Sequence, residues 1–332
     1  MANAVAVIMF VGVVAYAVFG GADFGAGFWD LTAGGAERGK EPRHAIDLSI
    51  GPVWEANHTW LIYCLVLLWT GFPRAFVAIT TTLYVPLGLA VLGIVLRGAG
   101  FAFRKVTEHT PHRRLFGVAF AASSAVTPYC FGSIAGGIAS GRVPSRGDGD
   151  PVTSWLNPTS ALGGVLAVLV CAYLAAVFLT ADTQRDGDAH LSEYFRRRAL
   201  ATAACAGLLS VAGVFVLRAD ARRLFDGLAS RGLGLLVLAA LGGLTMIWLL
   251  LTGAYRPLRP AAILTVAAVV GGWGVAQYPL LLGTHLSIND AASPDATLWV
   301  LIGVAIAALV LIAPSLALLF LLFERGRLTA GP

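Results

Sequence analysis

The sequence predicts an all-α integral membrane protein whose transmembrane helices form helical bundles within one domain spanning residues 1–332. The composition supports this prediction: 58% of the residues are hydrophobic, only 12% are charged, and the mean hydropathy is +0.79. Soluble domains carry roughly a quarter charged residues. Long apolar runs also alternate with short arginine-rich segments, which argues against a soluble enzyme, a disordered chain or a disulfide-stabilised miniprotein.

Long apolar runs mark about nine predicted membrane spans, because a helix needs about 20 apolar residues to cross the hydrocarbon layer. Each must be helical, since isolated strands would leave backbone groups unpaired in lipid. Residues 141–157 are predicted to form an exposed loop, and 218–231 a short helix on the membrane surface. The predicted spans are 4–28, 49–72, 75–96, 115–139, 158–180, 199–217, 232–253, 260–282 and 298–323.

The distribution of lysine and arginine predicts the orientation of the chain. Most of the 23 basic residues fall in the segments on one side of the predicted bundle, and positive segments remain in the cytoplasm. The N-terminus is therefore expected outside and the C-terminus in the cytoplasm. The segment 218–231 opposes this trend, because it places four arginines on the predicted outer side.

The four cysteines lie far apart in apolar runs and are interpreted as buried hydrophobic residues.

Ionisable residues within apolar spans are the candidate functional groups, because each is costly there unless it faces protein or water. Asp23 lies in the first span, while Glu55 and His58 share one helix face of the second. Arg97 ends the predicted third span and Arg104 follows it. All five are expected at one depth, near the cytoplasm.

Three interpretations of these residues remain open. In the first, Asp23 and Glu55 take up protons from the cytoplasm and His58 relays them, supported by Trp54, Asn57, Arg97 and Arg104. In the second, the acids pair with Arg97, Arg104 or backbone donors and only fix the helix register. In the third, they bind a polar ligand head group. No metal site is predicted, because a haem or zinc site needs more ligands than His58 and Glu55 provide.

Two groups of motifs, one toward each end of the chain, carry a resemblance to a known family. The N-terminal motifs are GGADFGAGF at residues 20–28, GPVWEANHTWLI at 51–62, FP at 72–73 and RGAGFAFR at 97–104. The C-terminal motifs are GGWGVAQYP at 271–279 and LSINDAA at 286–292. Together these motifs resemble subunit II of the cytochrome bd family of quinol oxidases, and the resemblance extends over nearly the whole chain.

The resemblance implies a haem-free subunit in the bacterial cytoplasmic membrane, paired with a subunit I that holds haem b and haem d. It implies electron transfer from quinol to O₂, with protons drawn from the cytoplasm. It is also compatible with a small accessory subunit, bound lipid and a structural quinone, although no residue here is identified as binding that quinone. Glu55 occupies the family's acidic position in a Trp-Asp-Gly-Asn motif, and Asp23 matches the second acid of an Asp-Gly-Phe-Asp motif. Gly20 replaces the first acid, which indicates a divergent branch.

Two other classes of function remain as alternatives. A proton-coupled secondary transporter would use the same acids, but such transporters often contain inverted repeats and none is visible here. A purely structural assembly subunit would not use the acids during turnover.

Overall fold

The computed structural model describes residues 1–35, 37–50, 54–106, 110–283 and 286–324. Within the helices, the side chains of 50, 54–56, 104–106, 110–115, 312–313, 316, 319–320 and 323–324 are not described. The described chain is almost entirely helical, which confirms the predicted all-α membrane fold.

The first half of the chain contains seven α-helices and one π-helical turn. The π turn, Tyr16–Gly20, continues α1 directly into α2, so that the three segments form one long helical span, Ala2–Thr32. The α-helices are α1 (Ala2–Ala15), α2 (Gly21–Thr32), α3 (Lys40–Ile50), α4 (Trp54–Gly71), α5 (Pro73–Thr82), α6 (Tyr84–Val106) and α7 (Thr110–Ala139).

The second half contains seven further helices and a small antiparallel hairpin. The hairpin strands are β1 (Leu280–Leu282) and β2 (Leu286–Ser287). The helices are α8 (Pro158–Arg185), α9 (Ala189–Asp220), α10 (Arg222–Ala229), α11 (Leu233–Thr252), α12 (Leu258–Gln277), α13 (Ile288–Ala291) and α14 (Asp295–Glu324).

Seven helices in the described part of the chain are long and apolar enough to cross a membrane. The broken pair formed by 57–71 and Pro73–Thr82 brings this number to eight, and the shorter apolar helix Asp295–Leu311 lies where the ninth span was predicted. The predicted number of nine is therefore approximate. The seven helices are Ala2–Thr32, Tyr84–Phe103, Phe116–Ala139, Pro158–Arg185, Ala189–Asp220, Leu233–Thr252 and Leu258–Gln277.

Two predicted span boundaries are wrong. Residues 75–96 are not one span, because α5 turns by 115° from α4 and a new helix begins at Tyr84. Proline explains both starts: it suits the first turn of a helix, where Pro73 and Pro86 lie. Arg97 consequently lies inside α6 rather than at the end of a span. The predicted span 260–282 is also too long, because α12 ends at Gln277 and 280–282 form β1.

Polar residues define where several spans begin and end. Asn157 accepts a hydrogen bond from the amide of Ser160 at 2.9 Å, and Asp188 accepts one from the amide of Leu191 at 2.9 Å. These two residues cap α8 and α9, because each satisfies an amide that has no partner inside its helix. Gly253 ends α11 with φ of 71°, a left-handed conformation that glycine adopts without strain.

Helix α8 is the centre of the larger apolar core and packs against α2, α7, α9 and α12. A second core lies around α1, α4, α5, α13, α14 and the hairpin. By contrast, α9 and α11 are the least buried of the seven spans. They therefore offer most of their surface to lipid or to another protein.

The spans have two distinct ends, which we name by the short helices found there. At the α3 end, Asp182 near the end of α8 accepts a hydrogen bond from Ser49 of α3 and pairs with Arg259 at the start of α12. At the α10 end, Arg142, Thr159 and Asp220 join the segment after α7, the start of α8 and the end of α9. We call these three residues the Asp220 cluster.

The Asp220 cluster holds its carboxylate through four hydrogen bonds. The two terminal nitrogens of Arg142 lie 3.1 Å and 2.6 Å from Oδ2 and Oδ1 of Asp220. Thr159 donates to Oδ2 through its amide at 3.1 Å and through its hydroxyl at 2.6 Å. This bidentate pair, together with two further donors, fixes three chain segments at one point.

The sequence predicts an exposed loop at 141–157 and a surface helix at 218–231. Residues 141–157 contain turns and irregular backbone, and α10 occupies the middle of 218–231. In the loop, the amides of Thr153 and Val152 donate to Asp150 and hold the pKa of its carboxyl below the usual range. That α10 lies on a membrane surface remains a prediction.

Candidate functional site

Four helices bring a buried carboxylate, an amide, a guanidinium and a hydroxyl together within the bundle. These groups belong to Asp23 of α2, Asn57 of α4, Arg97 of α6 and Ser124 of α7, and all four residues are at most 9% exposed. We call them the Asp23 centre. Because each comes from a different helix, the geometry of the centre depends on how the four helices pack.

The guanidinium of Arg97 is satisfied without the Asp23 carboxylate. One terminal nitrogen donates to the main-chain oxygen of Asp23 at 2.9 Å, and the other donates to Ser124 Oγ at 2.8 Å. The rings of Phe24 and Phe120 each lie 4.9 Å from the guanidinium carbon. Cation–π contacts of this kind gain strength where water is excluded. The arginine is thus held by main chain, hydroxyl and aromatic faces.

The Asp23 carboxylate instead contacts α4. Its Oδ2 accepts a hydrogen bond from the side-chain amide of Asn57 at 2.5 Å. Among the residues whose side chains are described, no cation forms an ion pair with it. Asp23 is therefore a buried acid with a polar partner and a nearby positive charge that is directed elsewhere.

The π-helical turn helps to shape the centre. The same Asn57 amide lies 3.4 Å from the main-chain oxygen of Phe19, which belongs to this turn. A π turn interrupts the regular i to i−4 pattern, and such insertions are common at functional sites. Here the interruption lies one turn before Asp23 and places a carbonyl of the first span beside the amide of α4.

Close packing of α2 on α7 holds Arg97 and Ser124 in place. A Cβ atom added at Gly27 would collide with the Ser124 hydroxyl and would lie 3.3 Å from a terminal nitrogen of Arg97. Only glycine permits this approach without a shift of the helices. Gly27 therefore contributes to the centre by allowing Ser124 and Arg97 to approach α2.

The centre lies well inside the spans, toward their α3 end. Arg97 is six residues from Phe103, where the apolar part of its span ends, or about 9 Å along a helix. Ser124 is about 12 Å from Phe116, and Asp23 about 14 Å from Thr32, by the same rise per residue. The three groups thus share a depth that is removed from both ends.

Of the buried hydroxyl groups without a hydrogen-bond partner in the described part of the chain, two lie within about two helical turns of the centre on its α10 side. They are the Tyr16 hydroxyl, in the π turn, and the hydroxyl of Thr127, which lies one turn beyond Ser124. Both atoms are buried. Buried polar atoms without a protein partner usually bind water, since leaving them unpaired costs free energy.

The structure brings together some, but not all, of the predicted site residues. Asp23, Asn57 and Arg97 meet, whereas the His58 ring lies at the margin, 6.2 Å from the rings of Tyr16 and Phe24. The remaining predicted residues, Glu55, Trp54 and Arg104, have side chains outside the described set, although Glu55 precedes Asn57 by two positions in α4.

Sequence reasoning missed Ser124, Gly27 and the two unpartnered hydroxyls. The sequence indicated Ser124, because Ser123 and Ser124 are adjacent polar residues within a predicted membrane span. The sequence alone does not distinguish Gly27 from the other small residues, because such residues recur throughout the spans. No group of three or more His, Cys, Asp or Glu side chains that could hold a metal ion occurs among the described residues.

The fold and the Asp23 centre define a class: a polytopic helical membrane protein with a buried charged group shared by several spans. The chain belongs to a particular family within this class, the cytochrome bd terminal oxidase subunit II family, whose model matches residues 1–323. This result confirms the resemblance found in the motifs.

Individual relatives agree with the family assignment. The chain is 29% identical to the cytochrome bd-I ubiquinol oxidase subunit 2 of Escherichia coli K12 over 216 residues, which are 61% of this chain and 54% of the relative. It is 27% identical to the cytochrome bd ubiquinol oxidase subunit 2 of Bacillus subtilis over 169 residues, 50% of this chain and 49% of the relative. The matched segments thus span about half the length of these relatives.

The fold is also similar to that of a solved oxidase. A chain in the structure of bd oxidase from Geobacillus thermodenitrificans superposes with a TM-score of 0.78 and 24% identity. The match covers 97% of this chain and 98% of that one. At this identity the comparison shows that the two chains share a fold along their whole length.

Proposed function

We propose that the chain is the haem-free subunit II of a quinol:O₂ oxidoreductase in a bacterial cytoplasmic membrane. Its partner would be a subunit I that holds haem b and haem d, where electrons from quinol reduce O₂ to water. Family membership supports this proposal, as do the names of the relatives as subunits 2 of ubiquinol oxidases. The N-terminus would lie outside and the α3 end in the cytoplasm, as the arginine distribution predicts.

We further propose that the Asp23 centre conducts protons from the cytoplasm toward the partner. The observation that carries this proposal is the orientation of Arg97, whose guanidinium bonds the main chain and Ser124 instead of the Asp23 carboxylate. A carboxylate locked in an ion pair would have to break that pair to accept a proton. The Asp23 carboxylate can exchange one while it keeps its bond to Asn57.

The order of groups along the bundle suggests a direction for this transfer. Glu55 lies near the start of α4, at the α3 end, and would receive protons first. Asp23 follows, and the hydroxyls of Tyr16 and Thr127 lie beyond it on the α10 side. Water bound at these hydroxyls would continue the route, while His58 would act from the margin, where its ring faces Tyr16.

A purely structural role is the second candidate function of the Asp23 centre, and one observation favours it. Arg97 connects α2, α6 and α7, so the centre also fixes the relative position of three spans. Both readings predict that loss of Arg97 harms the protein. Only the proton-transfer reading predicts a loss of turnover when the carboxylates are neutralised without a change of shape.

The test is oxygen consumption by the purified complex of subunits I and II carrying Asp23→Asn or Glu55→Gln. Each change removes the exchangeable proton and keeps the size of the side chain. We expect about a 10²-fold fall in turnover, the lower end of what a proton-transferring group contributes, with unchanged haem spectra. Glu55→Asp should retain much of the rate, because it remains an acid.

Asp186→Asn is the matched control, since it makes the same chemical change at an exposed position after α8. It should leave turnover unchanged. If turnover and its pH profile are unchanged in Asp23→Asn and Glu55→Gln, the proton-transfer proposal is wrong and only the structural role remains.

Purification from the native membrane tests the subunit assignment separately. We expect a haem-bearing polypeptide to co-purify with this chain in a one-to-one complex. Isolation of the chain alone, in a form that transports a solute with protons, would instead favour the transporter alternative.

A further inference from the structure

Helix α10 is a short segment held between the ends of two membrane spans. Asp220 ends α9 just before it and Leu233 begins α11 just after it, so α10 is expected at the level where these spans leave the hydrocarbon layer. Leu224 is buried, and a Cβ at Gly227 would collide with the main chain of Ala276 in α12. One face of α10 is thus fixed tightly against the bundle.

The remaining surface of α10 borders an open cavity of about 550 Å³ that is rich in arginine. The cavity contains three guanidinium groups, from Arg222, Arg223 and Arg231, and one carboxylate, from Asp226. The Arg222–Asp226 pair is loose, with 3.5 Å between nitrogen and oxygen, and both side chains are more than half exposed. Among the described residues that line the cavity, guanidinium groups therefore outnumber carboxylates by three to one.

The surface next to this cavity is apolar. Phe215, in the last turns of α9, is 72% exposed, and Leu233 and Val237, in the first turns of α11, are about half exposed. These helices are also the least buried spans of the described chain. A positive cavity at the end of exposed apolar helices matches a ligand with an anionic head and hydrocarbon tails.

We propose that the α10 cavity binds the phosphate head group of an acidic phospholipid, whose acyl chains lie along α9 and α11. The arginines would bond the phosphate oxygens, since guanidinium groups match phosphate geometry. A free phosphate ion could use the same donors but would gain nothing from the neighbouring apolar surface. This assignment is independent of the proton-transfer proposal, because it involves none of the residues of the Asp23 centre.

Native mass spectrometry of the detergent-solubilised complex provides the test, with phosphatidylglycerol, phosphatidylcholine and inorganic phosphate as probes. We expect phosphatidylglycerol to bind and phosphatidylcholine to bind far more weakly. Arg222→Gln/Arg231→Gln should weaken phosphatidylglycerol binding about 25-fold, because each arginine near an anionic membrane surface contributes about fivefold. Arg222→Lys/Arg231→Lys should keep most of the binding, since the charge remains.

Arg146→Gln is the control, because Arg146 is exposed at the same end of the bundle but outside the cavity. It should not change phosphatidylglycerol binding. Three results would overturn the proposal: equal binding of the two lipids, displacement of the lipid by an equal concentration of inorganic phosphate, or an unchanged affinity in Arg222→Gln/Arg231→Gln. Loss of subunit I from that variant would overturn it too, because the cavity would then be a protein interface.

Discussion

The Asp23 centre and the Asp220 cluster use the same residue types in opposite ways. Each joins an aspartate and an arginine from different parts of the chain, and each adds a hydroxyl-bearing residue. In the Asp220 cluster, Arg142 and Thr159 give the carboxylate four hydrogen bonds. In the Asp23 centre, the arginine bonds main chain and hydroxyl and leaves the carboxylate to an amide.

This difference follows from location. The Asp220 cluster lies at helix ends, where Arg142 is 34% exposed and water helps to solvate the ions. The Asp23 centre lies inside the bundle, where Arg97 is 2% exposed and must be satisfied by protein groups. The first arrangement locks three segments together. The second leaves the acid bonded to an amide, as the proposed proton transfer requires, and substitutions can separate the two proposed roles.

The largest effect is expected from Arg97→Met. Removal of the guanidinium leaves Asp23 without a compensating charge in a region that excludes water, and such losses cost about 3–5 kcal/mol. We expect a marked fall in the melting temperature of the purified complex. The comparison is Arg142→Met, which should cost less, because water reaches Arg142.

A double variant makes this prediction sharper. If the cost arises from the uncompensated carboxylate, Asp23→Asn should reduce the effect of Arg97→Met, because interacting residues give non-additive changes. Strict additivity would show that Arg97 acts only through its contacts to Ser124 and the aromatic rings.

Gly27→Ala is expected to have the next largest effect. The added methyl group would collide with Ser124 and separate α2 from α7, and such overpacking costs about 1–3 kcal/mol. Thermal unfolding of the complex measures this loss. Gly21→Ala in the same helix is the control, since its Cβ would make only ordinary contacts, 3.4 Å and 3.5 Å from Leu174 and Cys171. Similar melting temperatures for the two variants would contradict the proposed close packing.

Asp220→Asn should lower stability and leave turnover intact. It weakens charge-assisted hydrogen bonds to Arg142 and Thr159, and we expect a loss of about 1.5 kcal/mol. This result would differ from that expected for Asp23→Asn, which should slow turnover. Measurements of both properties on both variants distinguish a structural acid from a proton-transferring one; a shared phenotype would remove the distinction.

The smallest effect is expected from Thr127→Val. Its hydroxyl has no partner in the described part of the chain, so removal should not lower the melting temperature. If that hydroxyl holds a water molecule on the proton route, turnover should fall by a few-fold. Thr180→Val is the control, because the Thr180 hydroxyl is buried but already bonds the Ala176 carbonyl at 2.7 Å. Equal turnover in the two variants would exclude Thr127 from the route.

Part of the candidate site was predictable from single positions. Asp23 stands out because a charged residue in an apolar span is costly, and this cost alone marks it as a functional candidate. Arg97 was predicted at the end of a span, and only the structure places it inside α6. Asn57 was predictable as a neighbour of His58. The target of the Arg97 side chain was not, because spacing along a chain gives the depth of a residue but not the direction of its side chain in a bundle.

The boundaries of the spans were also only partly predictable from the sequence. The π turn at Tyr16–Gly20 has no signal in hydropathy, because its residues are as apolar as the helices around it. The break between α4 and α5 contained a signal, Pro73, but hydropathy alone cannot tell a short helix turned by 115° from the first part of the next span.

The sequence by itself determined that this chain is a bundle of membrane helices, which residues place charge inside it, and which family its motifs match. These properties follow from local composition, since the cost of transferring each segment into lipid depends mainly on its own side chains. Only the tertiary structure decided that Arg97 bonds the main chain of Asp23, that Gly27 admits Ser124, and that α10 presents arginines beside apolar spans. Those contacts join residues far apart in the chain, and helix packing sets them.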